Sequence, residues 1–222
     1  MPVISFASSK GGAGKTTSAI ILGTELAEGT SVIMIDADPA QRLKRWASLA
    51  PLQASVQVIS SGGERSIQSE IDEAKSKAAF VIIDLEGSAS RLTSFAISES
   101  DFVIIPSGEE QQDADAAIDT LAEIVMESRA RRKTIPAAIL LARTSAAVKS
   151  RLEKHIHAEL KRAGRVFDTE LHRRTAFSSL HNAGGGLRQL DRSDVNGVDK
   201  AIANAEAFAA EVIELLEDTQ HA

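Results

Sequence analysis

A glycine-rich segment near the start of the chain has the residue types that bind phosphate. Residues 8–17 read Ser-Ser-Lys-Gly-Gly-Ala-Gly-Lys-Thr-Thr, between an apolar run at 3–7 and a helix-patterned stretch that begins at Lys15. Glycine lets the backbone adopt positive φ and approach a ligand, and the N–H groups at a helix start attract an anion. Lys15 is expected to supply charge for the β- and γ-phosphates of a nucleotide, and Thr16 a hydroxyl for Mg²⁺. The expected phosphate-binding residues are Gly11, Gly12, Ala13, Gly14, Lys15, Thr16 and Thr17.

Three carboxylates follow the next apolar runs of the chain. Asp36 and Asp38 lie two residues apart after the run at 31–35, and Asp84 directly follows the run at 80–83. Mg²⁺ prefers oxygen ligands and keeps several waters, so Asp36 and Asp38 can hold metal-bound water and orient a water for attack on phosphate. Asp84 has the place of a Walker B acid, which accepts hydrogen bonds from Mg²⁺-bound water or from Thr16. We expect Gly87 to lie close enough for its N–H to reach the γ-phosphate.

The spacing of apolar residues predicts the elements that position these groups. Short runs rich in Val, Ile and Leu predict buried parallel strands, and the segments between them have helical length and pattern. Alternating strands and helices predict an α/β fold, a doubly wound and mostly parallel sheet flanked by helices, with its ligand beyond the carboxyl ends of the strands. The predicted strands are 3–7, 31–35, 80–83, 102–105 and 137–141, with a further candidate at 165–167; the predicted helices are 16–28, 41–49, 66–78, 91–98, 111–132, 147–163 and 195–218.

Composition excludes several classes of protein. The 222 residues, 43% of them hydrophobic, suit one α/β core, so we expect a single domain over residues 1–222. The chain has no cysteine, which excludes disulfides, thiolate zinc sites and cysteine-ligated iron–sulfur clusters. We find no signal-peptide pattern and no long apolar span, and the polar face of the last predicted helix is acidic rather than basic. We therefore expect a cytoplasmic protein without a membrane role.

Charge is distributed unevenly along the chain. The net charge is −6, yet residues 129–174 contain 13 Lys/Arg against 4 Asp/Glu. A basic patch of this kind can bind the phosphate backbone of DNA without reading its sequence. Solvated helix faces explain the same count equally well, and the two interpretations stay open at this point. The candidate DNA contacts are Arg129, Arg131, Arg132, Lys149, Arg151, Arg173 and Arg174.

The phosphate loop departs from the strict P-loop pattern in a way that resembles one family. Ser9 replaces the first glycine of G-x-x-x-x-G-K-[ST], and a second lysine, Lys10, lies five residues before Lys15. Residues 10–16 resemble the deviant Walker A signature of the ParA/MinD family of dimerising ATPases, K-G-G-x-G-K-[ST]. In that family the signature lysine reaches the nucleotide of the partner subunit. The resemblance implies that Lys10 binds nucleotide and couples ATP binding to dimerisation.

Later segments also resemble the family. The acids at 36–38 match its D-x-D-P-Q motif, which makes Asp36 an outer-shell metal residue and Asp38 the residue that positions the hydrolytic water. Ala40 interrupts the motif before Gln41, so the role of that glutamine stays open. Pro106 matches a position at the γ-phosphate edge of the dimer interface, and Arg143 is the candidate for stacking on adenine, with a plain salt bridge as the alternative. The late Arg-x-x-Phe block of the family is matched by Arg174 and Phe177.

The resemblance implies a small ParA-type ATPase for DNA partition, most similar to the ParF-type and VirC-type proteins. Such a protein binds ATP and Mg²⁺, forms a homodimer, binds DNA nonspecifically and hydrolyses ATP slowly, with stimulation by a ParB-like or other small basic partner. The ATP-bound form is expected on the nucleoid. We expect no helix-turn-helix domain, because the first strand begins at Val3. Two alternatives remain, an ATPase that positions a protein or conjugative-transfer complex and a metabolic P-loop enzyme of the dethiobiotin synthetase type.

Overall fold

Seven parallel strands form the central sheet of the computed structural model, which describes residues 1–88 and 90–220. Their order across the sheet is β3-β2-β4-β1-β5-β6-β7. The strands are β1 (Val3–Phe6), β2 (Val32–Ala37), β3 (Val56–Ser60), β4 (Phe80–Leu85), β5 (Phe102–Ser107), β6 (Ala137–Thr144) and β7 (Leu171–His172). The helices are α1 (Lys15–Leu26), α2 (Arg42–Ala47), α3 (Ile67–Lys77), α4 (Arg91–Ser98), α5 (Gln111–Arg131), α6 (Arg151–Ala163), α7 (Thr175–Ala183) and α8 (Val198–Gln220), with a short 3₁₀ turn at Leu187–Gln189.

Helices cover both faces of the sheet, because successive strand residues point to opposite sides. In β2, Met34 packs into a core with α1, α2, α7 and α8, whereas Ile33 and Ile35 pack into a second core with α3 to α6. In the first core the Phe208 ring of α8 packs edge-on against Phe167, at 5.6 Å between ring centroids. This arrangement confirms the predicted doubly wound α/β fold.

The structure corrects the prediction at three elements. The apolar pattern does not predict β3, because it is an edge strand whose side chains are mostly half-buried and whose apolar run is short and broken by Gln57. It does not predict β7 or α7 either, the first because it has two residues and the second because it is rich in serine. The candidate strand at 165–167 contributes only a bridge from Ile139 to Val166.

The predicted helix at 147–163 begins later, at Arg151. Ser150 accepts a hydrogen bond from the Glu153 N–H, and the Glu153 carboxylate accepts one from the Ser150 N–H, so the two residues form a capping box. The segment 145–150 is therefore a loop at the carboxyl end of β6. In the part of the chain that the structure describes, no helix has the length and apolar character to cross a membrane.

Candidate nucleotide-binding site

The glycine-rich loop connects the carboxyl end of β1 to the first residue of α1. Gly12 and Gly14 adopt left-handed backbone angles, with φ of 78° and 104°, a region that favours glycine over other residues. Gly14 caps α1, so the free N–H groups of the first helical turn face the loop. The ammonium of Lys15 is buried, and Nζ lies 3.4 Å from the carbonyl oxygen of Lys10, to which it donates. Burial lowers the pKa of Lys15, while Asp84 acts in the opposite direction.

Ser9 has a structural reason to replace the usual glycine. Its N–H donates to the Thr120 hydroxyl at 2.9 Å, and its own hydroxyl donates to the Ala116 carbonyl at 3.0 Å. Both acceptors belong to α5, so the serine ties the loop to that helix. A glycine at this position has no hydroxyl and would lose the second bond. The sequence contained no sign of this contact, because its two ends lie more than a hundred residues apart.

Asp36 and Asp84 lie side by side, because β2 and β4 are adjacent and these residues pair in register. Both are buried, and burial raises both pKa values, that of Asp84 to about 7. The Thr16 hydroxyl and the Lys15 ammonium lower the pKa of Asp84 in part. Among the described residues, neither carboxylate oxygen of Asp84 has a hydrogen-bond partner within bonding geometry.

The partnerless oxygens of Asp84 fit a hydrated metal. A buried carboxylate without donors is unfavourable, and metal-bound water beside the Thr16 hydroxyl would supply them. Asp36 is less open to such a ligand, since its two oxygens accept from the N–H groups of Asp38 at 3.2 Å and Lys44 at 2.8 Å. The donor set of Thr16, Asp36 and Asp84 is therefore suited to Mg²⁺ that keeps most of its waters.

Asp38 is held at the tip of β2 by two contacts. Its Oδ1 accepts from the Ala40 N–H at 2.8 Å, and its Oδ2 accepts from Nη1 of Arg42 at 2.6 Å. The inserted Ala40 thus closes the turn with its backbone. Gln41, whose role was open, caps α2 in the left-handed region with φ of 48°, and its side chain is exposed and makes no capping bond.

Lys10 forms an ion pair that sequence reasoning missed. Its Nζ lies 2.6 Å from Oδ1 of Asp113 at the start of α5; the exposed fractions of the two side chains are 33% and 5%. Gly108 makes room for this acid, because a Cβ there would lie 2.1 Å from Oδ2 of Asp113. In the sequence, the acidic turn after β5 was the only indication of an acidic partner for Lys10. Lys10 is therefore restrained within its own chain at the edge of the site.

Two cavities flank the loop. One, of about 640 Å³, is lined by polar groups that include Lys10, Gly12 and Asp113. The other, of about 340 Å³, lies against Thr17 and is lined partly by the apolar Ile21 and Phe177. The partly apolar cavity beside the first helical turn suits a base and sugar, whereas the polar cavity is also lined by the acids Glu109, Glu110 and Asp113.

Four residues that the sequence analysis expected near the nucleotide lie at different distances from the two cavities. Arg143 lines both cavities, and Arg174 lines the smaller one. Gly87 lies against the loop, because a Cβ there would be 3.2 Å from the Gly11 backbone and from Nζ of Lys15. Pro106 is buried within β5 and is not among the residues that line either cavity.

One further contact beside the smaller cavity had no sequence signal. The Thr17 hydroxyl and Nε2 of His181 are 2.7 Å apart, so α1 and α7 are joined at the cavity mouth. Burial lowers the pKa of His181.

The basic residues of the segment 129–174 lie at two opposite edges of the sheet. α5 runs from the carboxyl edge of the sheet to the amino edge, so Arg129, Arg131 and Arg132 lie at the far end from the loop. Arg151 and Arg173 lie at the carboxyl edge, and both are exposed.

Lys149 is not a free cation. Its Nζ lies 2.8 Å from Glu109 and 2.7 Å from Glu170. Burial would lower its pKa, but the hydrogen bonds to these two carboxylates outweigh burial and raise it. The charge of Lys149 is therefore already neutralised within the chain.

The deviant loop, the buried acids and the parallel sheet together define a P-loop nucleotide-binding protein of the deviant Walker A class. The chain belongs to the family described as VirC1 protein, which matches residues 1–218. It is 39% identical over 218 residues to the protein ParA of Rhizobium radiobacter, across 97% of this chain and 98% of that protein.

More distant relatives agree with this assignment. The maintenance of carboxysome distribution protein A of Halothiobacillus neapolitanus is 26% identical over 201 residues, which cover 89% of this chain and 91% of that protein. The fold is similar to that of a Cyanothece McdA variant in complex with ATP, with a TM-score of 0.75, 19% identity and 96% coverage of both chains. The chain is thus a member of the ParA-like partition ATPases, a family of P-loop ATPases.

Proposed function

We propose that this chain, as a single ATPase domain over residues 1–222, binds ATP with Mg²⁺, dimerises through Lys10, binds DNA nonspecifically and hydrolyses ATP slowly to reset the cycle. The observation that carries the proposal is the position of the Lys10 side chain and its ion pair with Asp113. Its ammonium lies at the rim of the polar cavity, one-third exposed, and its contact with Asp113 is a single ion pair. It can therefore exchange that acid for the phosphates of a nucleotide across an interface.

The hydrolytic step follows from the positions of the side chains. Lys15 and the N–H groups of the loop stabilise the negative charge that develops on the transferred phosphoryl group. Bound Mg²⁺ would neutralise phosphate charge. Thr16, Asp36 and Asp84 are the residues placed to hold it and its waters. Asp38 orients the attacking water, so the proposal assigns Lys10, Lys15 and Asp38 to catalysis.

Two exposed arginines at the carboxyl edge support DNA as a ligand. Arg151 and Arg173 are exposed at the same edge as the nucleotide site. A dimer formed there would bring two such sets together and strengthen binding to a phosphate backbone. The proposal therefore includes an ATP-bound form on the nucleoid and a free form in the cytoplasm. The exposed Glu110 at the polar cavity suits a ParB-like or other small basic partner that stimulates hydrolysis.

The test measures dimerisation and DNA retention with purified protein in MgATP, in MgADP and without nucleotide. We expect a dimer and DNA retention only with MgATP, and retention that falls steeply with salt. Lys10→Ala should still bind ATP through Lys15 and the loop but form no dimer and retain no DNA. Lys15→Ala should lose ATP binding itself. A wild-type protein that stays monomeric and free of DNA in MgATP would refute the proposal.

A second candidate is the positioning of a protein complex by the same cycle. It is favoured by the 26% identical relative, whose name refers to carboxysome distribution. Both candidates require the ATP-dependent dimer on DNA, so the discriminating measurement is the cargo. Deletion of the gene should destabilise inheritance of a replicon under the first proposal, and should scatter a protein assembly under the second. A metabolic enzyme of the dethiobiotin synthetase type would show neither defect and no ATP-dependent DNA retention.

A further inference from the structure

The carboxylate of Asp38 is occupied at both oxygens. Oδ1 closes the turn through the Ala40 N–H, and Oδ2 is paired with the Arg42 guanidinium at 2.6 Å. The Asp38 side chain is 11% exposed. Each carboxylate oxygen has two lone pairs, so a water that is to be oriented by Asp38 must share an oxygen with a donor that is already bound or replace that donor.

The backbone of Arg42 is fixed, whereas its side chain is not. Asp36 accepts from the Lys44 N–H at 2.8 Å, and Gln41 caps the helix, so α2 is joined firmly to the tip of β2. The Arg42 side chain is 60% exposed, so its guanidinium has room to leave Asp38.

We propose that Arg42 is a positioning residue that holds Asp38 in a charge-compensated resting state and thereby slows ATP hydrolysis. The inference rests on the proposed role of Asp38. A carboxylate whose charge is neutralised and whose lone pair is occupied accepts a hydrogen bond from water less readily. Hydrolysis accelerates when the guanidinium leaves Asp38 and frees Oδ2 for a water.

The test is steady-state ATP hydrolysis by Arg42→Gln, Arg42→Lys and Arg45→Gln. Arg45 lies on the same helix, is exposed and has no ion pair among the described residues, so its variant removes the same charge without touching Asp38. We expect Arg42→Gln to raise kcat about two- to fivefold, because pairs with an exposed partner are weak, with KM changed by less than about twofold. Arg42→Lys, which keeps a cation near Asp38, should stay close to wild type, as should Arg45→Gln.

Two results would overturn the inference. A kcat of Arg42→Gln that is unchanged or lower than wild type would mean that Arg42 is neutral or assists the reaction. A rise of similar size in Arg45→Gln would assign the effect to net charge.

The proposed role of Asp38 is tested separately by Asp38→Asn. If wild type hydrolyses ATP and Asp38→Asn does not, that role holds whatever Arg42 does. Arg42→Gln added to Asp38→Asn should then give no recovery. A faster double variant would show that Arg42 acts by a route other than Asp38, and would also refute the inference.

Discussion

The ion pair between Lys10 and Asp113 leads to a quantitative prediction about dimerisation. Asp113→Asn keeps the size and the hydrogen-bonding capacity of the side chain but removes the negative charge that faces Nζ of Lys10 at 2.6 Å. If Lys10 must leave Asp113 to reach a partner's nucleotide, the variant removes an obstacle. The ATP-bound dimer should then form at lower protein concentration.

The size of the effect follows from the burial of the pair. Hydrogen bonds to charged groups contribute about 1.5–3 kcal/mol, and exposed ion pairs about 0–1 kcal/mol. Asp113 is 5% exposed and Lys10 33%, so we take about 1 kcal/mol for each protomer, between these ranges. A dimer breaks two such pairs, which gives about 2 kcal/mol and a dimer Kd lowered roughly 30-fold.

The assay is analytical ultracentrifugation over a concentration series with a non-hydrolysable ATP analogue and Mg²⁺. Asp115→Asn is the matched control, because Asp115 lies two residues further along α5 and its carboxylate accepts from Gln111 rather than from a lysine. The control should leave Kd unchanged. A dimer Kd for Asp113→Asn that equals or exceeds the wild-type value would show that the pair is not broken on dimerisation, and the reasoning would fail.

Three further predictions concern the catalytic acid, the buried acid and the core. Asp38→Ala should bind ATP and trap a long-lived dimer, measured as a slower decay of the dimer after dilution, because no group then orients the water. The pKa of Asp84 is about 7 in the folded protein, against an ordinary value of 3.8, so the folded state binds more protons in this range and the free energy of unfolding should fall as pH rises from about 4 to about 7. In nucleotide-free protein, Asp84→Asn should flatten that part of the Tm-against-pH curve, and an identical slope in both proteins would contradict the assignment. Phe208→Ala should lower the free energy of unfolding by about 3–5 kcal/mol in urea, since its ring is fully buried against Phe167.

The amino-acid pattern was sufficient to predict the glycine-rich loop between β1 and α1 and the order of the main elements. Gly14 takes its conformation from the start of α1, and the acids at 36 and 84 follow buried strands whose apolar runs are plain in the sequence. These features could be predicted because each depends on neighbours within a few residues. The edge strand β3 could not, since a half-buried edge has no continuous apolar run.

The partners of these residues depend on the folded chain. Lys10 and Asp113 are 103 residues apart in sequence, Ser9 and Thr120 are 111 apart, and Thr17 and His181 are 164 apart. The periodicity of a chain reports which face of an element is buried, but not which distant side chain packs against it.

The basic segment shows the same limit for charge. Its basic residues are close in sequence, yet α5 runs opposite to the strands and places some of them at the far edge of the sheet. Another, Lys149, is neutralised by Glu109 and Glu170. Charge counted along the chain therefore overstated the basic surface, because the direction of an element and its ion pairs are properties of the folded protein alone.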